Sequence, residues 1–192
     1  MRTVGDIREV IYDYFQNSQR KSQQFCGFFS EDDYAAYYTS MYLIQDTDEA
    51  LWVHRDSGFC QDALRAYLEY WGLMQAVIIQ QDAICELFRA ITGRTIKSNS
   101  ITGAWEELRR IRNATAGHPS CTGQSKTRAF MGRLFGSYDG LKYECWSIDA
   151  EHDDPLARIS HPLIDLGQLF DRYQRQAAAL LYCAYREMRK KW

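Results

Sequence analysis

The stretch YWGLMQAVIIQQDAICELFRAIT, Tyr70 to Thr92, decides the fold class of this chain. Apolar residues occupy much of its helical circumference, which is typical of a helix that neighbours cover on more than one side. The same pattern begins near Cys60 and includes Leu64, Leu68 and Trp71. We therefore expect a long central helix from about Cys60 onward, buried among other helices.

The residues before this helix predict two N-terminal helices. Ser30 is a good N-cap with Asp33 at the third helical position, and the helix that it opens ends at Ser57–Gly58. Its apolar face consists of Tyr34, Tyr37, Tyr38, Met41, Ile44 and Leu51. A shorter helix precedes it, with a stripe at helical spacing made of Val4, Ile7, Val10, Ile11, Tyr14 and Phe15.

The residues after the central helix predict a motif helix, a hairpin and a last helix. The motif helix has a core stripe of Trp105, Leu108 and Ile111 and packs antiparallel to the central helix, because the polar link at 93–100 is short. Asp139–Gly140 lies between apolar and aromatic runs and predicts a β-hairpin near 128–147. Apolar spacing from Leu163 onward predicts the last helix.

These elements make one mainly α fold. We expect a bundle of about four or five helices with the hairpin inserted before the last helix. The chain is expected to form a single domain over 1–192, since a chain of this size can bury a sizeable core. Residues 1–58 would supply the N-terminal helices, and 60–192 the bundle core with the motif helix, hairpin and C-terminal helix.

The stretch LRRIRNATAGHPS, Leu108 to Ser120, carries the chemistry. Arg112 is a permanent planar cation suited to a phosphate, and His118 is a side chain that can hold or release a proton near neutral pH. Gly117 is expected to close the helix, and Pro119 forbids its continuation. A charge stabiliser and a proton carrier therefore lie close together in the sequence.

This arrangement resembles the signature of the HEPN superfamily, in which Arg and a following polar residue precede a His near a helix end. The matching residues are Arg112, Asn113 and His118, and Tyr70–Thr92 resembles the long preceding helix of HEPN proteins. The resemblance implies a HEPN-like bundle and a metal-independent endoribonuclease without a cofactor. It also implies a homodimer with both motifs in one cleft, a role as toxin or defence effector, and a protein antitoxin as a candidate partner.

Each motif residue has an expected role in such a site. His118 would act as general base toward the ribose 2′-hydroxyl or as general acid toward the leaving 5′-oxygen, and Arg112 would neutralise the phosphate. Asn113 could position the phosphate or orient the imidazole. Arg109 and Arg110 are candidates for binding the RNA backbone, although Arg110 could also simply face solvent. DNA, which lacks the 2′-hydroxyl, would not be cut.

Two alternatives stay open at this point. Arg112 could pair only with Glu106, Glu107 or the last carbonyls of its own helix, with His118 as a cap. The chain could also be a non-catalytic HEPN-like module that binds RNA, a nucleotide or a protein partner. Six helical steps of about 100° leave Arg112 and His118 roughly 120° apart, so the Gly117 stop or a second chain must bring them together.

Composition limits the remaining possibilities. The net charge of −2 gives no global attraction for nucleic acid, so RNA binding needs a local patch. Arg109, Arg110 and Arg112 would form this patch. The terminal cations, Arg186, Arg189, Lys190 and Lys191, could join it or could simply be a solvated helix end. We expect a cytoplasmic protein, because the six cysteines are scattered and the N-terminus is polar. We expect no membrane association, because the sequence lacks a long apolar run.

Other candidate sites are weaker. The acidic neighbours of His152 could mimic a metal site, but adjacent residues in a loop rarely converge on one ion, and we expect no metal. Cys121 and Ser120 lack the separate base of a hydrolytic triad. Some HEPN toxins carry a modifiable Tyr two residues after the His, and Ser120 at that position puts such control in doubt.

Overall fold

Five α-helices frame the part of the protein described by a computed structural model, which covers residues 3–18, 27–117, 127–132, 137–147 and 155–192. They are α1 (Val4–Gln16), α2 (Glu31–Ser57), α3 (Ala63–Thr92), α4 (Ala104–Arg112) and α5 (Leu166–Lys191). The mainly helical fold expected from the apolar periodicity is confirmed. Apolar side chains from all five helices join one core.

Side-chain caps fix where the helices begin. The Ser30 hydroxyl accepts a hydrogen bond from the Asp33 backbone N–H at 3.1 Å, as the sequence predicts for the start of α2. α2 ends at Ser57, and Gly58 follows with a φ of 73° that favours glycine. The central helix α3 begins at Ala63 rather than near Cys60, because the Asp62 carboxylate accepts from the Arg65 N–H at 2.9 Å.

α2 and α3 form an antiparallel pair that is tied at both ends. Arg89, near the end of α3, donates to Asp33 at the start of α2 at 2.6 Å. At the other end, His54 Nε2 lies 3.7 Å from a Glu69 carboxylate oxygen. Between these ends the C-terminal half of α3 is buried on most sides, with side chains at 0–1 % exposure that include Val77, Ile84, Leu87 and Ile91.

The N-terminal half of α3 differs from the expectation. Leu64, Leu68 and Trp71 are 56 %, 63 % and 42 % exposed, so the prediction that they are buried is wrong. Here α2 covers one side of α3, and no other described helix packs over the outward face. The apolar content of a helix shows that it is hydrophobic, but it does not show which turns neighbouring helices cover. Among the described residues, no helix is both long and apolar enough to cross a bilayer.

Short antiparallel strands lie between α4 and α5. β1 (Thr127–Phe130) pairs with β3 (Glu144–Ser147) in the register Thr127↔Ser147, and β3 also pairs with β4 (Ile159–Ser160). A second, two-stranded sheet joins β2 (Leu141–Lys142) and β5 (Leu163–Ile164). The expected strand pair within 128–147 is therefore present, and it belongs to a larger set of strands than the sequence predicts.

Two boundaries in this region were predicted wrongly. Asp139–Gly140 lies in a 3₁₀ turn at Tyr138–Gly140 that leads into β2, and it does not join the two paired strands. The last helix begins at Leu166 rather than Leu163, because the Asp165 carboxylate caps it by accepting from the Gln168 N–H at 2.7 Å. Leu163 instead pairs within β5. Runs of only two residues give no detectable period.

His54 links the α2–α3 pair to the strand region. Its Nδ1 lies 2.5 Å from the Tyr138 hydroxyl, and the Phe59 ring stacks on Tyr138. Burial lowers the pKa of His54, and the nearby Glu69 carboxylate opposes this in part. The folded protein therefore favours the neutral imidazole, whose Nδ1 shares a hydrogen bond with the Tyr138 hydroxyl.

We expect His54 to make the folded state less stable in mild acid. Its folded pKa lies below the ordinary value of 6.5, so below that pH the unfolded chain takes up the proton first. Its contribution to the free energy of unfolding is present above about pH 6.5 and is lost as the pH falls toward the folded pKa. His54→Gln should weaken the pH dependence of urea unfolding between about pH 7.5 and pH 5.5.

An identical pH dependence in His54→Gln and the parent would contradict the assignment.

Candidate functional site

The helix α4 that carries the arginines is held firmly in the bundle. Trp105, Leu108 and Ile111 are fully buried, so the predicted core stripe is confirmed. The backbone around Trp105 is fixed by two glutamines from neighbouring helices. Gln81 of α3 donates to the Trp105 carbonyl at 3.1 Å, and Gln176 of α5 accepts from the Trp105 N–H at 3.1 Å. α4 therefore has a fixed position relative to both helices.

α4 continues directly into a π-helical turn, Asn113–Gly117. Thr115 anchors this turn: it is 1 % exposed, and its hydroxyl donates to the Ile111 carbonyl at 2.7 Å. The Tyr70 hydroxyl of α3 lies 2.5 Å from the same Thr115 oxygen, and burial raises the pKa of Tyr70. Single π-turns occur often at functional sites, and this one is pinned to the central helix.

Gly117 does not end the helix in the expected way. The helical segment includes Gly117, whose φ is not in the left-handed region, so no left-handed glycine cap forms there. In a π-turn the residue five positions later returns to the same side of the helix, which places Gly117 beside Arg112. A Cβ built on Gly117 would lie 2.8 Å from Arg112 Nη1. The α-helical spacing assumed in the sequence-based estimate therefore does not hold between Arg112 and Gly117.

The Arg112 guanidinium is held by two neutral amides. Nη2 donates to Gln75 Oε1 of α3 at 2.8 Å, and Nη1 donates to Asn113 Oδ1 at 3.1 Å. Within the part of the chain that the structure describes, Arg112 forms no ion pair. Glu107 instead forms a salt bridge with Arg172 at 3.0 Å. The alternative in which Glu107 pairs with Arg112 is therefore wrong. Arg112 is thus oriented by neutral groups, and no described carboxylate pairs with its positive charge.

Arg109 and Arg110 are neighbours in sequence but lie in different surroundings. Arg109 forms a salt bridge with Asp82 at 2.8 Å and donates to Gln81 and Ser98, so it joins α4 to α3. Arg110 is exposed and makes no hydrogen bond or ion pair with a described residue. Both were predicted to bind RNA. Asp82 neutralises Arg109, whereas no described residue neutralises Arg110, so Arg110 is the better candidate for binding an anion.

A groove lies between α4 with its π-turn and the β1–β3 strands. Its volume is about 530 Å³. Side chains with different chemistry line it, among them Asn99, Arg109, Arg110, Asn113, Thr127 and Tyr143. Asn113 belongs both to this groove and to the hydrogen-bonded pair with Arg112, so the groove adjoins Arg112 through one side chain.

The structure brings together only some of the predicted site residues. Arg112 and Asn113 are in contact, whereas His118 lies outside the described residues, as do Ser120, Cys121 and His152. Among the residues that are described, no group of His, Cys, Asp and Glu has the arrangement of a metal site. The prediction that His118 works beside Arg112 therefore stays a prediction.

The terminal cations of α5 do not extend the Arg112 patch. Lys191 Nζ lies 3.6 Å from the centre of the Phe29 ring and donates to the Ile91 carbonyl. Ile91 is about 24 Å along α3 from Gln75, which binds Arg112. Lys191 therefore lies far from Arg112, and it packs against Phe29 rather than being fully solvated.

Gln75 and the Tyr70–Thr115 pair were not predicted from the sequence. Gln75 is a polar residue within the apolar run YWGLMQAVII, and this interruption was the available signal. Its partner is 37 positions away in sequence, so the pairing needs the fold.

Comparisons of the chain with protein-family models, with curated proteins and with solved structures return no match. The relation to the HEPN superfamily therefore rests on Arg112, Asn113, His118 and the preceding helix. It stays a prediction.

Proposed function

We propose that this protein is a metal-independent endoribonuclease of HEPN type, with Arg112, Asn113 and His118 as its working residues. The observation that carries the proposal is the Arg112 guanidinium, which two neutral amides orient and no described carboxylate neutralises. It lies against Gly117, the residue directly before His118 in the chain. A cation held in this way can take a phosphate oxygen without first breaking an ion pair.

The proposed reaction uses the RNA's own 2′-hydroxyl as nucleophile. His118 removes the 2′-proton or protonates the leaving 5′-oxygen, and Arg112 stabilises the negative charge that builds on the phosphate. The 2′-oxygen bonds to phosphorus as the bond to the 5′-oxygen breaks, which leaves a 2′,3′-cyclic phosphate and a 5′-hydroxyl. Asn113 holds one edge of the guanidinium through its Oδ1.

The proposal includes a homodimer in which two motifs share one cleft, so that one His118 acts as base and its copy as acid. An apolar surface next to Arg112 favours association at this side of the molecule. Leu64, Leu68 and Trp71 are exposed on the outward face of α3, at the helical spacing that leads to Gln75. A role as toxin or defence effector, with an antitoxin partner, belongs to the same proposal.

RNA cleavage in the presence of EDTA tests this function. We expect the purified protein to cut single-stranded RNA, to leave a cyclic phosphate, and to stop where the sugar before the scissile phosphate is 2′-deoxy. Cutting at a deoxy position would contradict the internal nucleophile. An absolute need for a divalent ion would contradict the metal-independent mechanism.

A non-catalytic module is the second candidate. The oriented Arg112 cation and the adjoining groove would bind RNA, a nucleotide or an anionic protein segment without any contribution from His118. RNA binding without cleavage under the same conditions would favour this function over the nuclease.

A further inference from the structure

The groove beside Arg112 has the size of a ligand site. Its volume of about 530 Å³ falls within the range of small-molecule pockets, roughly 300–1,000 Å³. Small side chains leave it open: Ala114 lines the helix wall and Ala129 the strand wall. Ala129 and Tyr143 are 4 % and 5 % exposed, so the strand side is formed by well-packed residues. The groove is thus part of the packed fold rather than a dent in a surface loop.

The groove contains one anionic and one cationic side chain that lack a described ion-pair partner. Glu106 and Arg110 are four positions apart on α4 and line the groove, yet they form no ion pair with each other or with another described residue. Arg109 contributes little net charge, because Asp82 binds it at 2.8 Å. A matching ligand needs an anionic group for Arg110 and a hydrogen-bond donor for Glu106.

Asn113 connects the groove to Arg112. Its Oδ1 accepts from Arg112 Nη1 at 3.1 Å, so its amide nitrogen keeps two donors for another partner. In the described residues, that nitrogen has no hydrogen-bond acceptor. A ligand in the groove would therefore meet a donor at Asn113, an acceptor at Glu106 and a cation at Arg110.

We propose that this groove holds one nucleotide of an RNA strand, with a base that carries an exocyclic amino group, next to the phosphate bound at Arg112. The amino group donates to Glu106, a pairing that carboxylates make with cytosine N4. The nucleotide's phosphate binds Arg110, and an acceptor on the base or ribose binds Asn113. This inference rests on the proposed function because it places the groove beside a phosphate at Arg112.

Titration of the whole protein with two matched nucleotides tests the site directly. Cytidine and uridine 5′-monophosphate share one sugar phosphate and differ at the base edge: cytosine has an amino group at C4 and an acceptor at N3, whereas uracil has a carbonyl at C4 and an N–H at N3. In protein with labelled alanine methyls, cytidine monophosphate should shift the NMR signals of Ala114 and Ala129 at lower concentration than uridine monophosphate. Ala50 and Ala76, which face a different cleft between α2 and α3, serve as internal controls.

Ribose 5-phosphate separates base binding from plain phosphate binding. It should leave the Ala114 and Ala129 signals unshifted at concentrations where cytidine monophosphate saturates. Equal shifts with the sugar phosphate, or no response to either nucleotide, would overturn the proposal.

Exposed variants assign the contacts without disturbing the core. Glu106→Gln should abolish the preference for cytidine over uridine monophosphate, and Arg110→Ala should weaken both about tenfold. Arg65→Ala removes an exposed cation of α3 that does not line the groove, and it should bind like the parent. Unchanged preference in Glu106→Gln would show that Glu106 does not read the base.

The titration involves no cleavage, so its outcome separates from that of the nuclease assay. Nucleotide binding without RNA cleavage would leave the groove in place and remove the catalytic function. Cleavage that is unaffected by Arg110→Ala, together with silent alanine signals, would keep the nuclease and remove the groove.

Discussion

Arg112→Ala and His118→Ala are each expected to lower RNA cleavage by about 10²-fold or more while the fold stays intact. Removing a charge that stabilises the transition state, or a group that transfers a proton in it, typically lowers the rate by this factor. The Arg112 side chain bonds to Gln75 and Asn113 rather than to the core, so its truncation leaves the buried stripe of α4 untouched. The measurement is the single-turnover rate in EDTA.

The control variants separate charge from geometry. Arg112→Lys keeps the positive charge but cannot donate to Gln75 and Asn113 as a planar fork, so it should recover only part of the rate. Arg65→Ala removes a distant exposed arginine and should cleave like the parent. Helical circular dichroism and the unfolding midpoint should match the parent in every variant. Equal rates for His118→Ala and the parent would contradict the catalytic assignment.

The sequence predicts the helices well because burial repeats along them. The stripe of α4 through Trp105 and Ile111 is 0 % exposed, as its spacing indicates. Caps were also readable, since a Ser side chain and the N–H three residues later bond locally in any fold. Local chemistry with a regular period is therefore visible in a single sequence.

Features that depend on distant partners could not be predicted. Arg109 and Arg110 are chemically identical neighbours, and only the position of Asp82 on α3 decides which one is neutralised. Nothing in the letters NATAG distinguishes a π-turn from an α-helical turn, because the turn is anchored by Tyr70 of another helix. The exposure of the N-terminal half of α3 was not predicted for a related reason. It depends on which other helices pack there, and the sequence of α3 does not contain that information.

Gly117→Ala is expected to lower RNA cleavage by about 10²-fold without destabilising the protein. The added methyl would lie 2.8 Å from Arg112 Nη1 and 3.3 Å from Cζ, so the guanidinium must leave its position beside Gln75 and Asn113. The arginine end is flexible, so the backbone need not move. Gly117 has no left-handed φ, and alanine there should hold or raise the free energy of unfolding by up to about 1 kcal/mol.

Gly72→Ala is the matched control for this substitution. Gly72 is also helical, and nothing lies within 4 Å of a Cβ added to it. The variant should gain similar stability from alanine's helix propensity and cleave RNA like the parent. If Gly117→Ala cleaved as fast as Gly72→Ala, the position of the guanidinium would not matter for the reaction.

A double variant shows whether Gly117→Ala acts through Arg112. In the Arg112→Ala background the methyl has no guanidinium to displace, so adding Gly117→Ala should cause no further loss of rate. The two single losses would then be strongly non-additive, which is the signature of two changes to one contact. A further large loss in the double variant would instead mean that alanine at this position disturbs the chain beyond Gly117, independently of Arg112.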